Sequence, residues 1–93
     1  MFHRIRIYGI VQGVGFRPTV ARHAAAHGIR GTVSNKGPFV EVFAEGDAEN
    51  VAAFEDAVRS RSPKRSLILK MDVKEMEAEE AHFQDFQIIL SEK

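Results

Sequence analysis

Cysteine is absent from the 93 residues, which excludes a disulfide framework and any thiolate metal site. Net charge is absent as well. Thirteen Lys and Arg offset thirteen Asp and Glu, so the chain has no broad electrostatic attraction for nucleic acid or an anionic membrane. No run approaches the ~20 apolar residues that span a bilayer, and the opening MFHRIRI lacks the apolar core of a signal peptide. The expectation is a single soluble, cytoplasmic domain over residues 1–93, long enough to bury one core but not two.

A second absence is local. From Gly9 to Thr19 the chain reads GIVQGVGFRPT, with no histidine, carboxylate or hydroxyl before Thr19. Such a loop is poor in nucleophiles and rich in exposed backbone N–H groups, with one fixed positive charge, Arg17, near its end.

The flanking patterns say where this loop sits. HRIRIYGI alternates, with Ile5 and Ile7 on one face and Arg4, Arg6 and Tyr8 on the other, the period of a half-buried strand. Pro18 suits a first helical turn, where its missing N–H costs nothing. The helix is expected through TVARHAAAH, stopping at Gly28. IRGTVSN and FVEVFAE read as strands joined by the turn KGP, with Val40, Val42 and Ala44 on one face and Phe39, Glu41 and Phe43 on the other. Asp47 opens a second helix, Glu49 suits its first turn, and Val51, Phe54 and Val58 form its apolar stripe. SRSPKRS ends it. LILKMDVKEM and FQDFQIIL read as two further strands, separated by the acidic EAEEA. The order β-α-β-β-α-β plus one strand fits an α+β, ferredoxin-like α/β sandwich, with two helices packed on one face of an antiparallel sheet.

The glycine-rich loop therefore lies between the first strand and the N-terminus of the first helix, where free N–H groups and the helix dipole favour an anion. Glycines permit positive φ and close approach of a ligand to the backbone, and Arg17 adds a fork of donors matched to phosphate or carboxylate. The residues are those of a phosphate cradle; a tight strand-to-helix turn with a solvent-facing arginine remains the alternative. GVGFRP has proline where a dinucleotide fingerprint needs its third glycine, and no Gly-Lys-Ser/Thr closes a P-loop.

YGIVQGVGFR resembles the first signature of the acylphosphatase family, G-x-V-Q-G-V-x-F-R, at Gly9, Val11, Gln12, Gly13, Val14, Phe16 and Arg17. GTVSNKG places Asn35 eighteen positions after Arg17, the family's spacing for its asparagine, and FQDFQII is similar to the family's last strand. Within the family, VQGVGFRP followed by G-x-V-x-N-x-G-x-x-V-E-V is similar to the N-terminal acylphosphatase-like domain of carbamoyltransferases of hydrogenase maturation. Thr32, Ser34 and Phe39 depart from the pattern of ordinary acylphosphatases around Asn35. The resemblance implies hydrolysis of a small acyl phosphate, here carbamoyl phosphate, without metal or other cofactor. It implies that the phosphoryl group is held by Gln12, Gly13, Val14, Gly15, Phe16 and Arg17, and that Arg17 and Asn35 are catalytic, Asn35 orienting the attacking water. It further implies that the chain is one domain of a larger parent, whose other domains are its partners. A free-standing acylphosphatase, or an anion-binding domain with little turnover, is the alternative.

Other constellations carry less. His23 and His27 stand four apart on the first helix, a two-histidine metal spacing, but no third ligand is evident and they share a stripe with Val20 and Ala24. Partly buried histidines are the simpler reading. Glu75, Glu77, Glu79 and Glu80 read as a solvated loop rather than a magnesium site, and Arg59, Arg61, Lys64 and Arg65 as a solvated helix end. An RNA reader of the same element order would use Tyr8, Phe39, Phe43, Arg4 and Arg6 on the open sheet face. The aromatic spacing is wrong, Pro38 interrupts the motif, and the net charge is zero. Contact with neighbouring domains or a second copy is the expected use of those aromatics.

Overall fold

The structure, a computed structural model, describes residues 1–77 and 83–89. In chain order the elements are β1 (Phe2–Ile10), α1 (Phe16–Ala26), β2 (Arg30–Asn35), β3 (Val40–Glu45), α2 (Ala48–Ser60), β4 (Leu67–Glu75) and β5 (Phe86–Ile89). The sheet runs β4-β1-β3-β2-β5. β1 pairs antiparallel with β3 and β4, and β2 antiparallel with β3, while β5 runs parallel to β2. The architecture is the expected ferredoxin-like sandwich. Among the described residues no helix is long and apolar enough to cross a membrane.

Alternation decides which sheet face is buried. Ile5 and Ile7 stand opposite Val42 and Val40, and Val33 also opposite Val42; all five are at most 2% exposed. On this side α1 lays down Phe16, Val20 and Ala24, and α2 lays down Val51, Phe54, Ala57 and Val58. Burial of each large apolar side chain contributes roughly 1.5–3 kcal/mol, and the fully buried Phe54 stacks obliquely on Phe86 of β5 at 6.1 Å. One polar link crosses the same interface: His3 Nδ1 of β1 meets Glu55 Oε2 of α2 at 2.6 Å.

The helix boundaries show local rules at work. α1 starts at Phe16, three residues before the predicted Thr19, because burial of the Phe16 side chain secures an extra turn. Pro18 remains within the first turn, where no N–H is needed. Gly28 takes a φ of 65° just past the end, with Ile29 N–H returning to the Ala24 carbonyl at 2.9 Å. Asp47 occupies the N-cap position of α2, but its side chain makes no capping bond.

The face away from the helices is less open than the sequence implied. Phe2 lies 5.9 Å from Phe43, and Phe83 stands over both at 5.8 and 6.4 Å. Phe39 packs on Tyr8 at 5.2 Å and carries the Arg6 guanidinium at 5.0 Å, with Arg6 Nε donating to Glu41 at 3.1 Å. The aromatics expected to await a partner are thus engaged with one another. Glu75 belongs to β4, opposite His3, rather than to a loop; Glu77 is exposed, and Glu79 and Glu80 lie outside the described residues.

Candidate active site

The site grows from the end of β1. Gly9 sits at an irregularity in the β1–β4 register with φ 137°, and a Cβ there would fall 2.0 Å from the Leu67 carbonyl oxygen. Only glycine admits that approach. Val11, 2% exposed, then plugs into the core and fixes where the loop leaves the sheet. Beyond it the backbone turns through two left-handed glycines, Gly13 at φ 69° and Gly15 at φ 76°, the second forming the N-cap of α1. Phe16 belongs to the buried core, and the partly buried Val14 packs against it. The side chains of Val11, Val14 and Phe16 therefore anchor the loop to the core.

Those peptide groups are unclaimed. Among the described residues, no hydrogen bond takes up the N–H of Gln12, Gly13, Val14, Gly15, Phe16 or Arg17. Thr19 closes the first turn by returning both its N–H (3.2 Å) and its hydroxyl (2.9 Å) to the Gly15 carbonyl. That carbonyl is thereby taken up within the helix. Nothing lies within 4 Å of where a Cβ on Gly13 or Gly15 would stand, so the rim is open. Arg17, half-buried in the first turn, makes no salt bridge or side-chain hydrogen bond among the described residues. Unbonded N–H groups, the helix dipole and a free guanidinium together suit an oxyanion.

Asn35 closes β2 on the helix side of the sheet, opposite Val40. Its Oδ1 accepts the Gly37 N–H at 2.8 Å, fixing the hairpin turn, and this orients the amide so that its NH2 is left to donate elsewhere. The carbonyl of the same Gly37 accepts from Gln12 Nε2 at 2.9 Å. One residue is thus gripped from both sides, by the cradle's Gln12 and by Asn35, across 25 positions of sequence. The buried Gln12 Oε1 has no partner among the described residues. Gly37 read as part of the turn KGP; that its two peptide groups are the link between Gln12 and Asn35 had no signal in the sequence.

The remaining candidates take structural positions. His23 Nε2 donates to the Arg61 carbonyl at 3.1 Å, joining α1 to the end of α2, and His27 forms the α1 C-cap. Both are partly buried, as expected, beside Asp56 and Arg61 in a hollow of about 300 Å³. Among the described residues no three His, Asp or Glu groups converge to hold an ion. A larger hollow of about 390 Å³, between Arg59, Ser62 and the start of β4, also lies away from the cradle. An open rim suits a small anion gripped by backbone, which needs no deep cavity.

A ferredoxin-like sandwich with a row of unbonded N–H groups and an arginine at the start of its first helix is the class of fold the chain shares with its relatives. The acylphosphatase family profile matches residues 3–88; the chain belongs to the acylphosphatase family, hydrolases acting on acyl phosphates. It is 44% identical over 89 residues to a probable carbamoyltransferase HypF of Methanocaldococcus jannaschii, covering 96% of this chain and 12% of that protein. It is 33% identical over 85 residues to an acylphosphatase of Staphylococcus haemolyticus, covering 91% of this chain and 94% of that one. The crystal structure of the Bacillus subtilis acylphosphatase superposes with a TM-score of 0.83 at 30% identity, covering 95% and 97% of the two chains. The chain thus spans about an eighth of the carbamoyltransferase and nearly all of the free-standing enzyme.

Proposed function

We propose that the rim from Gln12 to Arg17 binds the phosphoryl group of an acyl phosphate, and that Asn35 directs water at its phosphorus. The observation that carries this reading is the row of unbonded N–H groups, held by the Gln12–Gly37 bond beside the spare amide of Asn35. The phosphoryl oxygens lie against the N–H groups, and the Arg17 fork takes two of them. The Asn35 NH2 donates to one lone pair of a water, leaving the other free. The water oxygen bonds to phosphorus as the bond from phosphorus to the acyl oxygen breaks. The electron pair leaves with the carboxylate, and the water's proton passes to solvent. An acyl phosphate carries its own good leaving group, so positioning and charge stabilisation supply the catalysis. No side-chain nucleophile is required, which accounts for a site without one.

The substrate we assign is carbamoyl phosphate, with the chain acting as the N-terminal domain of a carbamoyltransferase of hydrogenase maturation. The higher identity to the carbamoyltransferase supports this over the free-standing reading, 44% against 33%. Release of inorganic phosphate from carbamoyl phosphate and from an aromatic acyl phosphate, each with a chelator present, tests the proposal. Release from carbamoyl phosphate that survives the chelator is expected. A preference for the aromatic substrate would favour the free-standing enzyme, and no release from either would reject hydrolysis by this domain.

A further inference from the structure

We propose that the Gln12 side chain is a positioning residue for Asn35, acting through Gly37 rather than on the substrate. The inference rests on the water-directing role proposed for Asn35 and adds what holds that amide in place. Gly37 lies in the turn between β2 and β3 with φ 95°, and nothing stands within 4 Å of where a Cβ would be. Packing therefore does not fix its backbone, and glycine is the residue freest to move. Hydrogen bonds must do so. Pro38 follows, and proline has no N–H, so the peptide unit joining the two residues offers only the Gly37 carbonyl. Among the described residues the one donor to that carbonyl is Gln12 Nε2, at 2.9 Å. On the other side of the same Cα, the Gly37 N–H donates to Asn35 Oδ1 at 2.8 Å. A rotation at Gly37 changes where its N–H points, and the Asn35 amide turns with its partner.

The Gln12 side chain makes no other bond among the described residues. Its amide orientation is set by the carbonyl it faces, since the flipped form would set oxygen against oxygen. That leaves Oε1 buried and without a partner among the described residues. Burying an unpaired acceptor is unfavourable, so the Gly37 bond supports the position of this side chain and its own solvation does not. The backbone N–H of Gln12 belongs to the proposed cradle and is separate from this bond. One residue thus has two separable roles, its N–H toward the phosphoryl group and its Nε2 toward Asn35.

Gln12→Met separates them, because it keeps the backbone N–H and a side chain of similar length while removing the donor. The assay is phosphate release from carbamoyl phosphate or the aromatic acyl phosphate, whichever is hydrolysed faster. The kcat should fall about tenfold, while KM and the inhibition constant of inorganic phosphate stay within about twofold of wild type. On an Asn35→Ala background the same substitution should lower kcat by no more than about twofold, because the group it positions is gone. A loss of about tenfold repeated on that background overturns the proposal, as does an unchanged kcat in the single variant. Weakened phosphate inhibition alongside the fall in kcat also overturns it, by making the side chain a support of the cradle itself. Gln12→Ala, expected to behave alike, carries the same cycle if circular dichroism shows the methionine variant unfolded. Wild-type kcat in Asn35→Ala alone, or no release by the unsubstituted chain, rejects the underlying reading and this inference with it. Additive losses reject only the link from Gln12.

Discussion

Asn35 does two jobs in the proposed scheme, and two substitutions separate them. Its Oδ1 holds the hairpin through Gly37 N–H at 2.8 Å, while its NH2 is the donor assigned to water. Asn35→Ala removes both. The lost hydrogen bond should cost about 0.5–1.5 kcal/mol of stability, and each kcal/mol shifts the melting temperature of a domain this size by about 4–8 °C. Asn35→Asp keeps an acceptor for Gly37 N–H, and aspartate is at home in such a turn, so its melting temperature should stay close to wild type. Neither variant retains the NH2 donor, so kcat should fall about 100-fold in both. KM should be little changed for alanine and raised for aspartate, whose charge opposes the phosphoryl group. Phosphate release with thermal melts on the same samples reads all four quantities. If Asn35→Asp turns over within about threefold of wild type, the amide serves only the turn, and the water-directing role is refuted.

Arg17→Ala should lower kcat/KM by about 10²–10³, the loss seen for single oxyanion donors. It makes no side-chain bond to other described residues, so the melting temperature should move little; a large drop would mean that Arg17 is structural. Inorganic phosphate should raise the melting temperature of the wild type by mass action and have much less effect on Arg17→Ala. Gly9→Ala should destabilise by at least ~2 kcal/mol, since its Cβ would collide with the Leu67 carbonyl at a positive φ. Its kcat at a temperature where it remains folded should nonetheless be near normal, and denaturant titration beside the phosphate assay checks both. Phe54→Ala empties a fully buried ring position and should cost about 3–5 kcal/mol, read as a fall in the denaturant midpoint.

Much of this architecture was legible because its signals are local. Strand alternation assigned Ile5, Ile7, Val40 and Val42 to the core, and Gly28 marked the end of α1. What escaped depends on contacts between distant segments. Nothing in FQII says that β5 runs parallel to β2, since a four-residue strand pairs equally well in either direction on pattern alone. The covering of Phe2 and Phe43 by Phe83 spans about forty to eighty positions, so aromatics that read as awaiting a partner are satisfied within the chain. Gly9 read as part of a ligand-binding signature, yet its carbonyl contact makes it a packing residue. At the site, glycine content and position before a helix pointed to an anion cradle. The clamp on Gly37 could not be foreseen, because its two hydrogen bonds run between a side chain and a backbone group whose positions only the folded sheet brings together.

The chain contains a single tyrosine and no tryptophan. Its near-ultraviolet fluorescence therefore comes chiefly from one ring, Tyr8, which touches Phe39 of the Asn35 hairpin at 5.2 Å and receives the Lys70 ammonium at 5.7 Å. That ring stands between the hairpin and β4. Tyrosine emission is an intrinsic, label-free reporter in this protein: a shift on adding phosphate follows the hairpin that carries Asn35.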